Sequence, residues 1–336
     1  MAVDPATNLP SAPTRSENLG HFGGVDECLR VWEREFLVED VNLYADLARS
    51  PSPAGSVRAS TRDRPARSAR YREFLRPNGF DDELRAVMRV DGSAWAAVSL
   101  FRERGRPAFG GQETELVAGL SAPLGEAVRD HARPATRTPA RAEGPGPGLM
   151  LFAPDGELLS INDDALAWLE ELPTDLEEPG AFGVSLPIVV LSTLMCARAT
   201  AAGRDGRPAR VRMRSRASGR WLVCHASCLR DANGAIGDTA LVIEPAEAAE
   251  IAPIMVQAYE LSAREREITE LISQGFRTTE IAGRLHLSVH TVRDYVKTIF
   301  EKIGVTSRGE LVATLFAEHH AAIHLDPAAH DVVGRP

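Results

Sequence analysis

The sequence predicts a multidomain α+β chain that closes with an all-α domain of four helices. Three observations carry that expectation. A length of 336 residues suits two or three domains at roughly 100–200 residues each. Two linker-like stretches interrupt the chain: 134–147, crowded with Pro and Gly, and 246–260, rich in Ala, Glu and Pro. The segments before the second stretch mix strand and helix patterns, whereas the last segment shows the helical period alone. The expected parts are therefore 1–133, 148–245 and 261–322, followed by a flexible tail over 323–336.

Composition narrows the class. With 44% hydrophobic and 25% charged residues, the chain has the apolar content of a folded globular protein and not of a disordered one. The longest apolar stretches, such as 187–191, fall far short of the roughly 18 residues a bilayer demands. Asp4, Pro5 and Asn8 stand where a signal peptide would carry basic and then apolar residues. Cys28, Cys196, Cys224 and Cys228 are too few and too scattered for a disulfide framework. A soluble cytoplasmic protein with no membrane partner is expected. A net charge of −9 argues against nucleic-acid binding by the whole surface but leaves room for a local basic face.

In the first segment, Trp32, Phe36, Leu43 and Leu47 follow a helical period and predict a helix over 26–47. Asp91-Gly92 is a hairpin turn signal before the strand-forming run 93–101. Leu116, Leu120, Leu124 and Val128 predict a helix over 113–129 that Pro123 should kink.

In the middle segment, 148–162 reads as strand, Asp-Gly turn and strand, with Asn162 as N-cap of the helix over 163–170. The runs 220–229 and 237–244 read as strands joined through 231–234. Strands, helix and strands again predict a sheet with helices on one face.

The last segment is the most informative. Ser262 and Glu265 form a capping box, Ile268, Leu271 and Ile272 make an apolar stripe, and Gly275 stops the first helix. A second helix begins near Thr278 and Thr279 and buries Ile281, Ala282 and Leu285. After a turn at 286–288, Val289, Val292, Val296, Ile299, Phe300 and Ile303 align on one side of a third helix. His290, Arg293, Asp294 and Lys297 must then project from the opposite side. Gly304 ends this helix, and Ser307 caps a fourth with Leu311, Val312, Leu315 and Phe316. Two short helices, a tight turn and a third helix with an outward Arg/Lys pair describe a helix-turn-helix reader, because a major groove about 12 Å wide accepts one helix. Residues 262–322 hold eight bases and eight acids, so specificity must come from the reading face and from dimerisation.

The motifs Leu261-Ser-Ala-Arg-Glu-Arg-Glu-Ile, Ile281-Ala-Gly-Arg-Leu, Thr291-Val-Arg-Asp-Tyr-Val-Lys-Thr-Ile-Phe and Lys302-Ile-Gly-Val-Thr-Ser-Arg308 resemble the LuxR-type helix-turn-helix. That resemblance implies base-edge contacts to double-stranded DNA from Arg293 and Lys297. It implies phosphate contacts from Thr279, Ser288, His290 and Thr291, with Asp294 on the same face, and dimerisation through the fourth helix. Residues 71–85 and 95–102 resemble the GAF-like sensor regions of actinobacterial regulators, and 148–245 resembles a PAS domain. Together they imply a transcriptional regulator, a homodimer, whose sensor domains answer to a small molecule or partner and which also contacts RNA polymerase. The alternative is a signalling adaptor acting through PAS and GAF surfaces.

Other constellations have plainer readings. On a strand, Cys224 and Cys228 share one face and His225 takes the other, which favours structural thiols over a metal or haem site. Asn162-Asp163-Asp164 resembles paired phosphoacceptor acids, but a helix start explains it. Arg58, Arg62, Arg64, Arg67, Arg70, Arg72 and Arg76 could bind an anion or DNA; the interspersed Asp63 and Glu73 favour a solvated face. Trp95, Phe101, Phe74 and Phe80 read as core rather than a ligand cavity. With no catalytic constellation, phosphate loop, metal pattern or cofactor motif in view, no enzyme is expected.

Overall fold

A computed structural model describes residues 1–17, 25–132, 145–172, 181–215, 217–246, 250–251, 254, 257–259 and 261–316. The chain divides into two compact units, the first comprising Met1–Asp130 with Ala140–Pro245 and the second containing Ala246–Pro336. Most of the linker expected over 134–147, part of that over 246–260 and the whole tail over 323–336 lie outside the described residues.

The first unit holds two antiparallel sheets. One has three strands in the order β1 (Ala54–Ser56), β2 (Phe80–Val90), β3 (Ser93–Glu103). Asp91 and Gly92, with φ of 51° and 80°, make the two-residue turn between β2 and β3 and pair Val90 with Ser93, which is the mirror-image turn that suits strand twist. One face of this sheet packs Leu84, Ala86 and Met88 beneath helices α4 (Gly111–Gly119) and α5 (Ser121–Ala132). The opposite side is covered by α1 (Val25–Phe36), α2 (Tyr44–Arg49) and the short α3 (Val57–Ser60) with the turns that follow it. There Phe74 and Phe80 are buried against the half-buried Phe101, with ring centroids 6.3 and 5.1 Å from it, so these aromatics are core, as expected.

The second sheet has five strands in the order β5 (Leu158–Ile161), β4 (Gly148–Phe152), β8 (Ile236–Pro245), β7 (Trp221–Arg230), β6 (Arg210–Arg214). It carries α6 (Asp163–Glu171) and α7 (Ile188–Ala201). Asn162 caps α6 as expected: its Oδ1 accepts from Ala165 N at 2.9 Å and from Leu149 N at 2.8 Å. Helix α7 is apolar all round because β7 covers one side and α1 another. Cys224 is fully buried and burial pushes its thiol up to about 12, although a hydrogen bond with Thr193 opposes this. His225 stands on the other face of β7, 3.8 Å from Glu244.

Two expected helices differ from the sequence reading. The span 26–47 is not continuous: α1 stops at Phe36 and α2 starts at Tyr44. Asn42 takes a left-handed φ of 58°, and the Asp40 carboxylate is drawn away to Ser68 Oγ and Arg70 N. Glu35 Oε1 accepts from Tyr44 N at 2.7 Å, closing the gap. The span 113–129 is also two helices, and Pro123 sits in the first turn of α5, where a missing N–H costs nothing. The stripe Leu116, Leu120 and Leu124 faces solvent, with Leu116 65% exposed. Ser121 and Gly125 face the sheet instead. Ser121 Oγ donates to Val87 O and accepts from Arg89 N, and a Cβ at Gly125 would lie 2.9 Å from Val90 Cγ2. Small residues let helix and strand approach where leucine would not fit.

The N-terminal nine residues bridge the two sheets. Val3 N donates to Trp95 O at 3.0 Å on β3, while Asp4 Oδ2 accepts from Arg212 N and Nη1 on β6. Leu9 is completely buried in the core of the five-stranded sheet, together with Trp32 and Phe36 of α1. Leu9→Ala should therefore destabilise the first unit by about 2–5 kcal/mol in urea melts, as expected for a leucine cavity in a core.

Candidate nucleic-acid interface

Four helices form the described part of the second unit from residue 261 on: α8 (Ala263–Ser273), α9 (Thr278–Arg284), α10 (Val289–Ile303) and α11 (Arg308–Phe316). Each begins where a side chain can satisfy free N–H groups. Ser262 Oγ accepts from Glu265 N, and Glu265 Oε2 accepts from Ser262 N at 2.6 Å. Glu280 Oε2 accepts from Arg277 N at the start of α9. Ser288 Oγ accepts from Thr291 N at 3.0 Å at the start of α10. Ser307 Oγ accepts from Glu310 N at the start of α11.

The turn between α9 and α10 needs an uncommon backbone. His286 has φ of 52°, and Leu287 N donates to Ala282 O at 2.9 Å. Ala282 is buried, and α9 and α10 pack on each other there; a larger side chain would hold them apart. At the far end, Gly304 ends α10 in the left-handed region at φ 76°.

Packing decides which side of α10 is free. Val292 and Ile299 are fully buried and Ile303 is nearly so, with Val289, Val296 and Phe300 half-buried beside them. His290, Arg293, Asp294 and Lys297 are all exposed on the other side, as the sequence requires. His290 and Lys297 are 86% and 79% exposed. Within this row His290 Nδ1 lies 3.6 Å from Asp294 Oδ2, and Lys297 Nζ lies 3.8 Å from Glu301 Oε1. Such open i,i+4 contacts are worth only a few tenths of a kcal/mol, so a ligand can displace either carboxylate from its neighbour at little cost. Arg293 has no carboxylate partner among the described residues. Thr279 is exposed at the start of α9, and Ser288 and the half-buried Thr291 stand at the start of α10.

One ion pair escaped the sequence reading. Lys302 Nζ donates to Glu265 Oε2 at 2.7 Å, tying the end of α10 to the cap of α8. No periodic signal links positions 37 apart in sequence. Burial pushes the Glu265 carboxyl up, but the bonds from Lys302 and Ser262 outweigh it and hold it below the usual carboxylate range. A depressed folded pKa stabilises fully above the unfolded value, about 4.3, and that contribution disappears as pH falls through the lower folded value. Glu265→Gln should therefore lower the melting point of this unit at neutral pH and shrink the deficit in acid. Thermal melts from pH 7 down to about pH 3 check both the sign and the window.

On α11, Leu311 is fully buried and α11 packs on α8, while Val312 is half-buried. The row containing Leu311 is thus the inward one. The side chains beyond Val312 lie outside the described residues.

Comparison with a family model gives a match within this unit. Residues 259–315 match the family model of bacterial regulatory proteins, luxR family. Spore germination protein GerE of Bacillus subtilis is 42% identical over 55 residues, covering 16% of this chain and 74% of GerE. Response regulator Rre1 of Synechocystis is 43% identical over 61 residues, 18% of this chain and 26% of Rre1. The probable transcriptional regulatory protein NarL of Mycobacterium tuberculosis is 39% identical over 66 residues, 20% of this chain and 28% of NarL. The chain therefore spans only about a quarter of the length of the last two relatives. Among solved structures, the phage VqmA–DPO complex aligns with 55% of this chain and 87% of its own at 15% identity, with a TM-score of 0.25, a value too low to relate the folds. The family model spans the capped helices, the His286 turn and the exposed row of α10, and the chain covers three quarters of GerE; on that ground the chain belongs to the luxR family of bacterial regulatory proteins.

Proposed function

We propose that the chain is a sequence-specific transcriptional regulator that reads double-stranded DNA with α10. The observation that carries this reading is the row His290, Arg293, Asp294 and Lys297, exposed on a helix whose other side is locked into the core. Arg293 and Lys297 reach base-edge acceptors, and Thr279, Ser288, His290 and Thr291 hold phosphates. A single reading helix covers few base pairs, so the protein works as a homodimer, with the face of α11 opposite Leu311 toward the second copy. The first unit acts as the sensor. Its two antiparallel sheets with flanking helices support the GAF-like and PAS-like readings, and a small molecule or partner protein bound there sets the dimer's competence. The regulator acts in the cytoplasm, contacts RNA polymerase and performs no catalysis. Selection of bound duplexes from a random pool, followed by footprinting, tests the reading. Two inverted half-sites about one helical turn apart are expected. A pool without enrichment would instead favour an adaptor that works through its sensor surfaces.

A further inference from the structure

We propose that Arg62, Arg64, Arg67, Arg72, Arg76 and Arg106 form a second nucleic-acid surface, on the first unit, that binds duplex phosphates without reading sequence. All six are exposed. Hydrogen bonds, two of them to Asp81, hold their segments together. Arg58 Nε donates to Asp81 O at 3.1 Å, Gly105 N donates to Asp81 Oδ2 at 3.3 Å, and Arg104 Nη2 donates to Arg76 O at 3.0 Å. Arg72 Nη1 donates to Ala66 O and Arg67 O, drawing the fourth arginine over the turn that carries the third. The loop is also held at its tip: Arg62 and Asp63 both take left-handed φ, 54° and 56°, secured by the bond from Asp63 N to Arg58 O.

Sequence alone suggested that Asp63 and Glu73 dilute this cluster. The structure shows both acids engaged elsewhere. Asp63 pairs with Arg58 at 2.7 Å, Glu73 with Arg34 at 2.9 Å, and Asp81 stands 3.9 Å from Arg104. Among the described residues no carboxylate lies within ion-pair distance of the six. Six uncompensated cations on one surface repel one another, in a chain whose overall charge is −9. A polyanion removes that repulsion.

The choice of duplex over an acidic protein rests on the DNA-binding reading above and on the surface itself. Between the arginines stand Ala66, Pro77 and Gly105, all exposed and small, so the large apolar or aromatic anchor typical of a protein hot spot is missing from the ridge. A duplex instead offers one phosphate per about 1.7 Å and needs no such anchor. The reading domain itself, with equal numbers of bases and acids over 262–322, gains little from the phosphate field.

The test compares the full chain with R62S/R67S/R76S, whose three side chains are exposed, on a random-sequence duplex across a salt series followed by fluorescence anisotropy. The variant should bind at least about tenfold more weakly at low salt, with the slope of log K against log salt shallower by roughly 2–3. Its thermal melt should not move. Equal affinity and slope for variant and wild type would overturn the proposal, as would polyglutamate displacing the chain as well as DNA of equal charge does. If random-duplex binding falls in the variant while the wild type prefers no sequence, the ridge stands and the sequence-reading proposal fails. If sequence preference is strong and the salt slope is unaltered, the ridge fails alone.

Discussion

In the full chain, Arg293→Ala combined with Lys297→Ala should erase discrimination between selected and random duplexes and leave helix content and melting point unchanged. Each lost base contact costs about 1–3 kcal/mol. The two positions are one helical turn apart, so the losses couple and need not add. Stability is spared because both side chains stand on the exposed side of α10, away from Val292 and Ile299. Lys302→Ala is the informative control. That lysine belongs to the Glu265 pair, so its loss should lower the melting point and leave the choice of sequence intact. Anisotropy titrations at one fixed salt concentration check both variants. A double variant that keeps the wild-type ratio of selected to random affinity would remove α10 from the reading role.

Arg85→Met should destabilise the first unit by about 3–5 kcal/mol, the usual loss when one member of a buried ion cluster is deleted. Arg85 is 2% exposed on β2. It donates to Glu35 Oε2 at 2.7 Å and to Asn42 O at 3.0 Å, and its guanidinium lies 3.6 Å over the Tyr44 ring. Glu83, on the same strand, is bonded twice by Arg70. Burial pushes the Glu83 carboxyl up, but Arg70 and Arg85 outweigh it and hold it below the usual range. Removing Arg85 leaves Glu83 with Arg70 alone and strips buried Glu35 of its ion-pair partner. Urea melts at pH 7 should show the full loss. The deficit should narrow as the pH drops toward about 4 and the Glu83 carboxylate, deprived of Arg85, protonates. A loss below about 1 kcal/mol would mean that water reaches this cluster.

The cluster marks where sequence reasoning stopped. Asp82, Glu83 and Arg85 are all buried in β2, a stretch for which spacing and composition predicted no element. The ion partners of Glu83 and Arg85 lie at 70 and 35, separations that carry no period. The leucine row at 116, 120 and 124 marked helix correctly but not the direction it faces. Spacing shows that residues share a helix face, but not whether that face meets a sheet. The close approach at Gly125 turned α5 the other way.

What the sequence determined by itself is the helix-turn-helix domain: four helices, with caps at Ser262 and Ser307, the turn at 286–288 and the exposed row of α10. Those features are local. Caps act within three residues and an apolar stripe repeats every turn, so composition and spacing express them directly. Only the tertiary structure decided that the first nine residues bridge two sheets, that Leu9 and Trp32 complete the core of the second sheet, and that Lys302 belongs to Glu265. It also decided that Asp63 and Glu73 leave the arginine ridge uncompensated. These contacts join residues far apart in the chain, and their energy depends on burial and distance, which come into being when the chain folds.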